Sequence, residues 1–183
     1  MKITIGEAVA NEKGTATGGK PGDQTGRELR HTVYTNAEKL NFTMVYRFKN
    51  AKAADLCVRK LNLITDSNLV GYCQTEGHRT SLTDELAKYN WNVGNMIKTG
   101  KKTETDCSAL AACCVKALQK IYGSSYDISK TAYSGNLGDI LLSTKNFTYI
   151  NIKALKSHPE QFKKGDALIR PFHHVAIITD ISK

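Results

Sequence analysis

Apolar positions recur most clearly after Asn50. Ala54, Cys57, Val58, Leu61 and Ile64 follow one another at spacings of three and four, which predicts an amphipathic helix. Just before it, residues 42–48 (FTMVYRF) alternate weakly and are rich in aromatic and β-branched side chains, which predicts a strand. A shorter helix is expected at about 81–89, with Ser81 as N-cap and Asp84 and Glu85 in its first turn. The strongest helix spans 105–121. Thr105 or Asp106 can cap it, Leu110, Cys113, Cys114, Ala117, Leu118 and Ile121 make a wide apolar stripe, and Gly123 ends it. A further short helix is read over 129–143, then a strand around Thr148–Ile150. Residues 165–180 (GDALIRPFHHVAIITD) read as two strands broken around Pro171. At the start of the chain, residues 4–13 read as a short helix ended by Gly14. The stretch 14–29 (GTATGGKPGDQTGREL), with five glycines, reads as irregular backbone.

The 183 residues suit a single domain with a sizeable core, and 40% hydrophobic with 23% charged residues is an ordinary globular balance. No run of about 18 apolar residues exists, so no membrane span is expected. The N-terminus lacks the apolar stretch of a secretory signal, so a product made in the cytoplasm is expected. The net charge of +9 favours polyanionic partners, such as nucleic acid or the anionic polymers of a Gram-positive wall. Basic residues are dispersed, however, and no basic stripe with interleaved aromatics marks a nucleic-acid face. Nucleic acid is therefore not the expected partner.

Five cysteines stand at 57, 73, 107, 113 and 114. The number is odd and there is no CxxC or zinc-finger spacing, so free thiols and no metal are expected. Cys113 and Cys114 lie on the apolar stripe and read as packing residues. Cys107 differs. It sits at the polar start of the helix, where unpaired amides and the positive end of the macrodipole favour a thiolate. A nucleophilic thiolate needs an imidazole partner. His31, His78 and His158 fall in polar connecting segments, whereas His173 and His174 open the apolar strand VAII. A Cys opening a core helix, followed by a His opening a core strand, is the chain order of papain-like cysteine hydrolases.

TDCSAL at 105–110 resembles the nucleophile motif of NlpC-like and CHAP-like cell-wall cysteine peptidases, and KGDALI (164–169) with HHVAII (173–178) resembles their paired strands. More narrowly, the loop running from Gly18 to Glu28 resembles the GGxxGDQTGRE loop of phage and prophage peptidoglycan hydrolases, and GYCQTEGHR (71–79) resembles their GYxQxxR-like stretch. The resemblance implies an α+β, papain-like fold in which the nucleophile helix packs on a small antiparallel sheet. It implies one catalytic domain over 1–183, with a C-terminal wall-binding module outside this chain. Cys107 and His174 carry the chemistry, with His173 and Asp106 as secondary candidates. Gln24, preferred, or Gln74 would supply an oxyanion donor. The group that orients the histidine is not assigned by the motifs. Asp180 shares strand phase with His174 but lies about 20 Å along it, too far for contact. Asp23 is the candidate carboxylate. No cofactor is implied. The implied activity is hydrolysis of a peptidoglycan amide at the cell wall, either in the stem peptide or crosslink or at the muramic acid–alanine amide. The rivals are a transglutaminase-like acyl transferase and a non-enzymatic module binding wall polymer or nucleic acid.

Overall fold

The computed structural model describes residues 1–182. Its strands are β1 (Lys2–Ala8), β2 (Leu29–Tyr34), β3 (Met44–Phe48), β4 (Val70–Tyr72), β5 (Thr103–Thr105), β6 (Phe147–Asn151), β7 (Ala167–Arg170) and β8 (His174–Ser182). Its helices are α1 (Ala51–Asp66), α2 (Ser81–Lys88), α3 (Val93–Lys98), α4 (Cys107–Lys116), α5 (Gln119–Tyr122), α6 (Leu137–Ser143) and α7 (Ile152–Ser157). Six strands form an antiparallel sheet in the order β2-β1-β8-β7-β3-β6, and β4 and β5 form a separate parallel pair. The architecture is α+β.

The central strand β8 explains the near-continuous apolar run VAII, because both of its faces are covered. Val175 and Ile177 face a core shared with Leu61 of α1 and Leu110, Cys113 and Cys114 of α4. Ala176 and Ile178 face a second core with Ile3, Ile5, Leu40, Phe42, Leu155 and Phe162. A bulge interrupts β8: Thr4 pairs with Asp180, but Ile5 pairs with Ile178. The extra residue, Thr179, breaks the alternation that would have kept Asp180 in phase with His174.

Several sequence expectations need correction. Residues 2–8 form a strand, not a helix, because β1 is paired along both edges and its odd positions Ile3 and Ile5 are buried together. Gly6 on the opposite face lies so close to α1 that a Cβ there would meet Leu61 at 2.7 Å. The helix expected over 129–143 shortens to Leu137–Ser143, since Asn136 Oδ1 accepts from the Tyr133 N–H and holds a turn there. The long helix at 105–121 divides into β5, α4 and α5, and Ile121 is 62% exposed rather than part of the buried stripe. Thr80, not Ser81, is the N-cap of α2. The Ser81 hydroxyl instead bridges to β5, accepting from the Glu104 N–H and donating to its carbonyl.

The glycine-rich loop before β2 packs along the β4-β5 pair. The Gly22 N–H donates to the Thr103 carbonyl, and a Cβ on Gly71 would lie 2.7 Å from the Gly22 carbonyl oxygen. Asp23 turns the loop, accepting backbone N–H groups from Thr25, Gly26, Arg27, Glu28 and Leu29. Glu28 is fully buried and ties loop to strand. Its two oxygens accept from Gln24 N and Tyr72 N at 2.8 Å each, and burial raises its pKa.

Candidate active site

Cys107 is the first residue of α4, and the turn before it is built by Asp106. Asp106 adopts an extended conformation, and its Oδ1 accepts from the Ala109 N–H at 2.7 Å and from the Ser108 hydroxyl at 2.8 Å. This is N-capping in its usual form, an acidic side chain satisfying a first-turn amide. The other oxygen, Oδ2, is held by Arg79 Nε at 2.5 Å. Arg79 is itself buried, and its guanidinium also donates to Ser108 Oγ and to the Ala132 carbonyl. The arginine of the GYCQTEGHR stretch therefore anchors the turn that carries Cys107. Asp106 is committed to that role and to its cap.

The imidazole of His174 lies close enough to the Cys107 thiol for the two to interact, and that interaction helps raise the His174 pKa. Its Nε2 is occupied by Glu7 Oε2 at 2.7 Å, which leaves Nδ1 to serve the sulfur. Glu7 comes from β1. Continuing the β1-β8 register sets Glu7 opposite Ala176, so Glu7 and His174 are diagonal neighbours on one face of the sheet. The carboxylate is fixed in turn by the Thr32 hydroxyl at 2.6 Å and Arg30 Nε at 3.3 Å, both on β2. Phe42 stacks on the imidazole, with ring centroids 5.8 Å apart. Three neighbouring segments thus hold one ring in a single orientation.

The electrostatics follow from this packing. Burial by itself pushes the His174 pKa down, but hydrogen bonds and charge interactions with Cys107 and Glu7 outweigh it, and the value rises from 6.5 to about 9. Burial pushes Glu7 up, and its bonds to His174 and Thr32, with the charges of His174 and Arg30, bring it below the ordinary carboxylate value. The two shifts agree in direction: a protonated imidazole against an ionised carboxylate.

Cys107 is only 5% exposed, yet it lines an open cleft of about 240 Å³. Gln74, Asp106, Ser108, Tyr133, Ser134, Phe172 and His173 complete the walls. Phe172 has φ of 61° and is 74% exposed, with its ring 6.1 Å from that of Tyr133. These two rings form an apolar rim over the thiol. The other cysteines are elsewhere. Cys57, Cys113 and Cys114 are buried, and desolvation pushes the first two thiols up to about 12 and Cys114 well above its ordinary value.

The sequence-predicted residues separate accordingly. Cys107 and His174 are brought together. His173 lines the cleft and its N–H closes the turn onto the Arg170 carbonyl. Gln74 also lines the cleft, with its Nε2 donating to the Tyr72 hydroxyl at 2.7 Å. Gln24 is not at the cleft: its amide donates to the Pro21 and Gly22 carbonyls of its own loop. Asp23 does not reach His174, because its oxygens are used by that loop. Glu7 fills the orienting position instead. The sequence carries a signal for it, since in KITIGEA Glu7 repeats the phase of Ile3 and Ile5, and an ionisable residue at a buried strand position needs a partner.

The family model described as the endolysin-like domain matches residues 5–183. No curated protein and no solved structure gives a match.

Proposed function

Because the chain belongs to the endolysin-like domain family, whose lytic action is on peptidoglycan, we propose that it is a cysteine-dependent amidohydrolase of the cell wall. The observation that carries this reading is the chain of contacts that joins three distant segments: Glu7 Oε2 lies 2.7 Å from His174 Nε2, His174 interacts with Cys107, and Cys107 lines an open cleft. A nucleophile at a helix N-terminus, a base at a strand mouth and a carboxylate behind the base make the constellation expected of a papain-like thiol hydrolase.

The reaction is acyl transfer. The Cys107 thiolate attacks the amide carbonyl carbon, and His174 gives its proton to the leaving amine. His174 then takes a proton from water, which attacks the thioester and releases the acid and the thiol. Glu7 keeps the imidazole oriented and favours its charged form. The oxyanion is held by the Cys107 backbone N–H at the start of α4, together with the Gln74 side chain at the cleft wall. Gln74 replaces Gln24 as the preferred donor, because only Gln74 lines the cleft. The net charge of +9 keeps the enzyme near anionic wall polymers, an attraction that salt weakens.

The test is clearing of purified Gram-positive walls by wild type, Cys107→Ala and His174→Ala, with products identified by mass spectrometry. Clearing must disappear in both variants, with a new amine and a new carboxyl group among the wild-type products. An amine released from the lactyl-linked alanine identifies the amidase form, and one released within the peptide identifies the peptidase form. Clearing that survives Cys107→Ala ends the thiol mechanism, and products joined to an added amine rather than hydrolysed make the chain an acyl transferase.

A further inference from the structure

At the β4-β5 pair three potential metal ligands meet. They are Cys73 just after β4, His78 in the following turn, and Glu104 in β5. One ligand atom from each lies within 4.8 Å of the others. The spacing 73, 78, 104 resembles no metal motif, because parallel pairing brings the third ligand from a different segment. Gly71 pairs with Glu104, and the Cys73 N–H donates to the Thr105 carbonyl at 2.8 Å.

Glu104 supplies the independent sign. It is 2% exposed, and one oxygen contacts a ring nitrogen of His78 at 2.7 Å. The other oxygen, Oε1, is buried and has no hydrogen-bond partner among the described residues. A buried carboxylate oxygen left unpaired is costly, and native structures satisfy such atoms with a donor, water or an ion. Among the described residues no lysine or arginine fills the position. His78, 57% exposed on its side chain, faces a surface groove lined by Glu76, Lys88 and Lys102, through which a cation can enter.

We propose that Cys73, His78 and Glu104 bind Zn²⁺, with a fourth position open to that groove. Thiolate, imidazole and carboxylate together are the donor set that zinc prefers over calcium or magnesium, and a fourth site taken by water completes a tetrahedron. The contact between His78 and Glu104 opens by about half an ångström to admit the ion, given metal–ligand bonds of about 2.0–2.1 Å. The ion braces the 73–79 segment. That segment carries Gln74 at the cleft wall and Arg79 under the nucleophile turn.

The test uses zinc titration by calorimetry on the full chain carrying Cys107→Ala, which removes the catalytic thiol as a competing ligand. The expected result is a single Zn²⁺ bound. Adding His78→Ala, at an exposed position that leaves the fold intact, should weaken binding by more than the ~10–100-fold that loss of a supporting partner costs. Cobalt loading should give a thiolate-to-metal absorption band that Cys73→Ser removes while circular dichroism is unchanged. The proposal is overturned if the Cys107→Ala protein takes up no stoichiometric zinc, or if it binds zinc equally well with His78→Ala. It is equally overturned if the cobalt band survives Cys73→Ser.

Discussion

His174 Nε2 rests 2.7 Å from Glu7 Oε2, across two paired strands and 167 residues of chain. The imidazole is thereby fixed from the side opposite the thiol. Glu7→Gln keeps the size of the side chain and removes its charge. It should lower kcat by about 10²–10⁴-fold, the range seen when an acid–base histidine loses its orientation or proton partner. KM should change little. A Glu7→Gln protein that clears walls at the wild-type rate would remove Glu7 from the mechanism.

The same pair makes stability depend on pH. The His174 pKa is raised on folding from 6.5 to about 9, so its protonated form binds more favourably in the native state. That contribution is fully present below pH 6.5 and is lost as pH rises through about 9. Melting curves between pH 6 and 9.5 should show wild type losing stability relative to His174→Asn across this window. Comparing those two proteins cancels the ionisation of Cys57, Cys113 and Cys114, which lie away from His174, and two curves that fall in parallel would contradict the linkage.

Asp106 holds both the cap of α4 and the buried guanidinium of Arg79. Asp106→Ala should destabilise the protein by about 3–5 kcal/mol in urea denaturation, because it leaves a buried charge without a partner. Asp106→Asn retains an N-cap oxygen and should lose less. Equal losses would mean that the charge, not the cap, dominates.

The two glutamines should behave differently. Gln74→Ala should reduce kcat by about 10²–10³-fold, the usual effect of removing one oxyanion donor. Gln24→Ala should leave kcat intact and change stability by only about 1 kcal/mol, through its loop hydrogen bonds. Steady-state kinetics on a soluble peptidoglycan fragment separates them, and the reverse pattern would return the oxyanion role to Gln24.

The glycine-rich loop is predicted to act through the fold. A Cβ at Gly71 would press on the carbonyl oxygens of Gly22 at 2.7 Å and Lys20 at 2.9 Å, both backbone atoms. Gly71→Ala should therefore cost about 1–3 kcal/mol, as overpacking does. Unchanged thermal stability would show that the loop lifts off without penalty.

Periodicity and local chemistry were enough to locate α1, α4, β3, β7 and β8, and to set Cys107 apart from Cys113 and Cys114. Those features depend on residues near one another in the chain. A helix N-terminus surrounds whichever thiol stands there with unpaired amides, and an apolar stripe buries whichever thiols lie on it. Only tertiary pairing could make KITIGEA a strand, because its seven residues carry too few apolar positions to decide between a helix and a strand until β2 and β8 flank it. Glu7 shares the phase of Ile3 and Ile5, which marks it only once KITIGEA is known to be a strand. Its role exists only where β1 lies against β8, and no spacing within the sequence encodes that contact. Parallel pairing of β4 with β5 likewise decided that Arg79 would underpin Asp106 and that Cys73 would meet Glu104. The helix placed Cys107 at its start, and strand register, set by burial on both faces of the sheet, decided what stands around it.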